Sequence, residues 1–168
     1  KISYIIIMLS LLLVVSDAVA YKRGDLELTL GGSGSSDNSF DNSVINFEAG
    51  LGIFLTENFE GIWRQGISFA DVDDSNEWNG STRLAFDYHF NWQPWYPYLG
   101  LNIGYLYGDT VKEQFIAGPD GGVKYFVNRT TYILCGIEYQ VLFTETNEVD
   151  DNFDDGRFVY VLGIGFTF

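Results

Sequence analysis

The sequence predicts an all-β chain folded as an antiparallel up-and-down transmembrane β-barrel, with eight strands, short periplasmic turns and longer acidic extracellular loops. Three observations carry the prediction. Bulky apolar residues alternate with small or polar ones along eight segments, polar connections alternate long with short, and aromatics gather at both ends of the apolar faces. Composition agrees, since aromatics make up 17% of the 168 residues and Gly contributes 19, against 3 Pro. Such an excess of Phe, Tyr, Trp and Gly favours strands over helices.

Residues 1–20 stand apart from the rest. Lys1, the apolar run of residues 5–15 and the triplet Ala18-Val19-Ala20 have the order of a secretory signal. The apolar run is shorter than the roughly 20 residues a membrane helix needs. Cleavage is therefore expected after Ala20, leaving residues 21–168 as one barrel domain.

The first strand sets Leu26, Leu28 and Leu30 against Glu27 and Thr29, and the second sets Ile45, Phe47, Leu51, Ile53 and Leu55 against Asn46, Glu48, Gly50 and Gly52. The third, about 59–70, is noisier because Gln65 falls on the apolar face. In the fourth, Thr82, Leu84, Phe86, Tyr88 and Phe90 oppose Ser81, Arg83, Ala85, Asp87 and His89. The fifth sets Leu99, Leu101, Ile103, Tyr105 and Tyr107 against Tyr98, Gly100, Asn102 and Gly104. Pro119 interrupts the sixth, about 115–127. The seventh sets Ile133, Ile137, Tyr139, Val141 and Phe143 against Gly136, Glu138 and Gln140. In the eighth, Phe158, Tyr160, Leu162, Ile164, Phe166 and Phe168 face away from Val159, Val161, Gly163, Gly165 and Thr167.

A soluble barrel hides its apolar face inside, whereas a membrane barrel turns it out to lipid. Here the apolar face carries large aromatics and the other carries Gly, Ser, Thr and charges. A narrow eight-stranded interior is expected to take small residues and a few paired charges, not rows of Phe and Tyr, so the apolar face belongs outside. The long connections fall at about 33–42, 71–77, 108–114 and 144–156, and the short ones at about 56–58, 91–93 and 128–130. This alternation puts both termini in the periplasm. Phe59, Phe90, Trp95, Phe166 and Phe168 form one outward girdle; Phe69, Tyr105, Tyr107, Phe143, Phe158 and Tyr160 form the other.

The chain ends Tyr160-x-Leu162-x-Ile164-x-Phe166-x-Phe168, which resembles the signal read by the outer-membrane assembly machinery. The segment Gly118-Pro119-Asp120-Gly121-Gly122-Val123-Lys124-Tyr125-Phe126-Val127 is also similar to a strand-plus-turn stretch of the OmpA/OmpX-type eight-stranded outer-membrane β-barrel superfamily. The resemblance implies a place in the bacterial outer membrane, reached through the periplasm. It implies outer-membrane lipid, lipopolysaccharide and the assembly machinery as partners, and a lumen plugged by Glu with Arg or Lys. The superfamily hosts structural anchors, adhesins and a few enzymes, so the fold does not choose among roles.

On the alternation alone, Glu27, Glu48, Glu60, Asp87 and Glu138 point inward with Arg64, Arg83 and Lys124. An ion path is one reading; a salt-bridged core filling a narrow lumen is favoured, because buried charges must pair. His89 is the single histidine and sits inward beside Asp87. The local Tyr88-His89-Phe90-Asn91 lacks the His-x-Ser pattern of barrel lipid A deacylases, so a packed histidine is expected and no enzyme. No cofactor is implied.

The net charge of −14 excludes nucleic acid as a partner, since phosphate contacts need Lys and Arg. Of the 23 acids, 14 fall in the four long connections, against Lys112 alone. A solvated acidic rim is the plain reading. Weak divalent-cation candidates are Asp71, Asp73, Asp74 and Glu77, and Asp150, Asp151, Asp154 and Asp155, because Ca²⁺ takes clustered carboxylate oxygens. A host or phage ligand at these loops is the adhesin alternative. Cys135, alone and outward, is expected to be a small lipid-facing residue.

Overall fold

The computed structural model describes residues 21–36, 43–72, 75–109, 113–143 and 156–168. The expected signal segment, residues 1–20, lies outside them. Eight strands follow in order: β1 (Leu26–Ser36), β2 (Ser43–Phe54), β3 (Phe59–Val72), β4 (Ser75–His89), β5 (Trp95–Gly108), β6 (Gln114–Phe126), β7 (Thr131–Phe143) and β8 (Arg157–Thr167). Each pairs antiparallel with its neighbours in sequence, and β1 pairs with β8, so the barrel closes. Closure satisfies strand edges that lipid cannot.

Period-two alternation determines which side chains face out of the barrel. Leu51, Trp63, Leu84, Phe86, Leu99, Leu101, Ile133 and Leu162 are exposed on the outer wall, while Glu60, Arg83, Asp87, His89, Lys124 and Glu138 are buried within. The one outward polar group flagged in β3, Gln65, donates to Tyr107 Oη at 2.8 Å and accepts from Thr82 Oγ1 at 2.8 Å. This small patch near the outer end is internally satisfied.

Two expectations need correction. Residues 71–77 do not form a long loop, because β3 and β4 stay in register to Val72↔Ser75. Polar residues pair as strands readily once above the lipid, where their side chains meet water; polarity alone is a poor loop signal. The interior also holds aromatics. Tyr21, Phe54, Tyr96, Tyr98, Phe126 and Tyr132 are all buried in one cluster at the end where β1 begins and β8 finishes. Glycines make the room. A Cβ at Gly165 would overlap the Tyr132 ring, and one at Gly136 would sit 2.6 Å from Tyr98 Oη.

The ladder of β6 with β7 skips Gly118 and Pro119. Pro119 has no N–H to give a ladder. The strand nonetheless continues through Asp120, whose Pro-Asp-Gly setting reads as a turn in sequence.

Candidate functional site

The register stacks the lumen charges in rows. Glu60↔Asp87, Asp87↔Gly100, Gly100↔Asp120 and Asp120↔Glu138 are successive cross-strand pairs, so four acids share one row from β3 to β7. Another row reads Gly50↔Arg64, Arg64↔Arg83 and Arg83↔Gly104, two arginines flanked by glycines. Like charges side by side repel. Here the arginines reach out of their row to the acids instead.

Arg64 is the hub. Its Nη2 donates to Asp87 Oδ2 at 2.9 Å and its Nη1 to Asp120 Oδ2 at 2.6 Å, with Glu138 Oε2 3.7 Å away. Arg83 donates to both Glu138 and Glu48. Gln140 Nε2 donates to Glu138 Oε1 at 2.6 Å, and Arg157 Nε to Gln140 Oε1 at 2.8 Å, carrying the chain of bonds toward the opposite mouth, where β8 begins. Asp120 thus belongs to the network although the alternation had not placed it there.

A second network sits nearer the end where β1 begins. Lys124 donates to Glu27 and, at 3.0 Å, to Glu60 Oε2. Glu27 also accepts from Tyr132 Oη at 2.5 Å and Tyr21 Oη at 3.1 Å. Rings of Tyr21, Phe54, Tyr98 and Tyr132 lie 5.1–5.9 Å from Lys124 Nζ, within cation–π range. Burial holds the Tyr21 phenol well above its ordinary pKa, so it stays a neutral donor. His89 Nε2 is 3.4 Å from Glu60 Oε2, and the ring packs among Tyr21, Phe54 and Tyr98. No nucleophile hydrogen-bonds to it among the described residues.

Between the networks the lumen keeps a void of about 30 Å³, lined by Thr29, Gly50, Ile62, Arg64, Tyr98 and Lys124. That is room for about one water. Among the described residues no group of three His, Cys, Asp or Glu could hold a metal ion. Of the loop candidates, Asp73, Asp74, Asp150, Asp151, Asp154 and Asp155 lie outside the described residues. Asp71 is known there by its backbone pairing, and Glu77 stands on β4. Cys135 is an exposed free thiol.

A closed eight-stranded barrel with an apolar wall and an ionic core has the architecture of the eight-stranded outer-membrane proteins. The fold is shared with the N-terminal β-barrel domain of Pseudomonas aeruginosa OprF, at TM-score 0.62 and 18% identity, covering 88% of this chain and 100% of that one. It is shared with the outer membrane protein OprG of Pseudomonas aeruginosa, at TM-score 0.62 and 12% identity over 90% and 99%. Neisserial surface protein A aligns at TM-score 0.55 and 16% identity over 85% and 94%. No family model and no curated protein matches the sequence.

Proposed function

We propose that the chain is a non-enzymatic integral outer-membrane protein with a closed lumen and a structural role in the cell envelope. Residues 1–20 direct export and are removed after Ala20. The strand ending Tyr160, Leu162, Ile164, Phe166 and Phe168 presents the assembly signal. The observation that carries the reading is the pair of lumen networks under an apolar wall. Arg64 and Arg83 bind Glu48, Asp87, Asp120 and Glu138 in one, and Lys124 binds Glu27 and Glu60 in the other. Buried pairs of this kind are costly to break and leave little open cross-section.

The test has two parts. Purified protein refolded in detergent should show heat-modifiable migration and give no steady conductance in a planar bilayer. A strain lacking the gene should become more sensitive to EDTA and bile detergent, and regain resistance with the wild-type gene. Stable wild-type channels, or unchanged sensitivity, would contradict the reading. The acidic connections favour a second one, surface recognition of a cationic ligand or divalent cation. Binding lost on replacing residues 144–155 by Gly and Ser, with the barrel still folded, would support it.

A further inference from the structure

Barrel closure is uneven. β1 pairs with β2 from Leu26↔Ile53 to Ser36↔Ser43, but with β8 only from Glu27↔Thr167 to Gly31↔Gly163. β8 meanwhile stays paired with β7 up to Arg157. Above Gly31, therefore, β1 and β8 each have a partner on one side only. Gly31 stands five residues above Leu26, which places the end of the ladder at roughly half the height of a ~25 Å apolar band, given ~3.3 Å per residue and ~40° tilt. The seam faces the outer half of the membrane.

Unpaired strand edges are tolerated at membrane depth where they line a water-filled cavity. The lumen above Arg83 is a cavity of about 530 Å³ lined from β1 to β5 and from β7 and β8, and the seam is part of its wall. One of its walls is β8 over residues 158–161, the stretch that β1 leaves unpaired. The backbone edge of β8 that no ladder covers therefore lies open beside the cavity. On the other side stand Gly31 and Gly32, with no side chains to block the way. The floor is Arg83, held by Glu48 and Glu138, so the passage joins the external mouth to the outer leaflet and does not cross the membrane.

The chemistry of the cavity is two-sided. Ser68 and Ser81 present hydroxyls on the lumen side, while Phe158 and Tyr160 offer apolar surface on the other. Arg157 at the mouth spends only its Nε on Gln140, and its Nη groups have no partner among the described residues. A fork of this kind suits a carboxylate. At 530 Å³ the space is in the range of small-ligand sites, about 300–1,000 Å³.

We propose that the β1/β8 seam is a side portal and binding site for a single-chain amphiphile with an anionic head, its tail between the strands in the outer leaflet and its head on Arg157. The inference rests on the outer-membrane reading and adds a ligand to it.

The experiment uses the folded protein in phospholipid nanodiscs, with barrel formation checked first by heat-modifiable migration; loss of that band would count against the membrane reading alone. The probe is hexadecanoic acid bearing a diazirine on its tail, compared with a hexadecyl-trimethylammonium probe of the same length. Photolabelling by the acid should saturate and map to residues 32–36 and 158–161. It should exceed labelling by the cation and weaken about tenfold in Arg157→Gln, the loss expected of one charge-assisted contact. Oxidised Gly32→Cys/Leu162→Cys, in a Cys135→Ser background, should lose the labelling and recover it on reduction. Labelling spread evenly over the lipid-facing strands, equal labelling by the cation, or labelling indifferent to both Arg157→Gln and the closed seam would overturn the proposal.

Discussion

The ring of Tyr21 lies on that of Phe54, centroids 3.8 Å apart and planes 16° from parallel. The residue immediately after the expected cleavage point is thus built into the end of the lumen where β1 begins. Tyr96 and Phe126 meet Tyr21 edge-on, and its hydroxyl reaches Glu27. Tyr21→Ala should lower the unfolding free energy by about 3 kcal/mol, as removal of a buried aromatic does. Tyr21→Phe, which keeps the ring and loses one hydrogen bond, should cost about 1 kcal/mol. Urea titration in detergent, followed by the heat-modifiable band, reads both; equal losses would mean that the ring contributes nothing beyond its hydroxyl.

Arg64 holds Asp87 and Asp120 with separate nitrogens. Arg64→Met should destabilise the barrel by about 3–5 kcal/mol, because two buried carboxylates lose their counter-charge. Adding Asp87→Asn and Asp120→Asn should restore most of that loss. The same urea titration decides: a triple variant no more stable than Arg64→Met would show that the cost lies in packing, not in stranded charge.

Much of this was legible in the sequence because alternation is a local signal. It gives the strand count, the outward face and the inward placement of Glu27, Arg64, Arg83, Asp87, Lys124 and Glu138 directly. Asp120 was hidden by its own neighbours, since Pro119 and Gly121 make it read as a turn residue. Phe54, Tyr96 and Phe126 were hidden because each lies at a strand's periplasmic end, where apolar residues run together and the alternation blurs. The inward glycines opposite Tyr98 and Tyr132 were a readable hint of large rings. The short β1/β8 ladder had no sequence signal at all, since the pairing of the first strand with the last depends on the shear of the whole barrel.

Gly118 and Gly50 both face the lumen, yet they should respond oppositely to a methyl group. A Cβ at Gly118 would overlap the carbonyl oxygen of Tyr139, a backbone atom that no rotamer change can move. At Gly50 the nearest atoms are side-chain carbons 3.6 Å away, which is ordinary contact. Gly118→Ala should therefore fold poorly or lose about 2 kcal/mol or more, in the range of overpacked sites. Gly50→Ala should stay within about 0.5 kcal/mol of wild type. Refolding yield in detergent separates them, and similar yields would refute the distinction.

The lumen is sealed twice, by the Arg64 and Arg83 network and by the rings and Lys124 nearer the periplasm, and the two seals stand in series. Opening one leaves the other intact. Arg64→Ala/Arg83→Ala alone should therefore remain silent in a planar bilayer, as should Tyr21→Ala/Phe54→Ala alone. The combined variant should conduct. Its current should favour cations, because removing Arg64 and Arg83 leaves Glu27, Glu48, Glu60, Asp87, Asp120 and Glu138 lining the path against Lys124 and Arg157. Conductance from the arginine pair alone would mean that the aromatic cluster is no barrier and that the ionic network closes the lumen by itself.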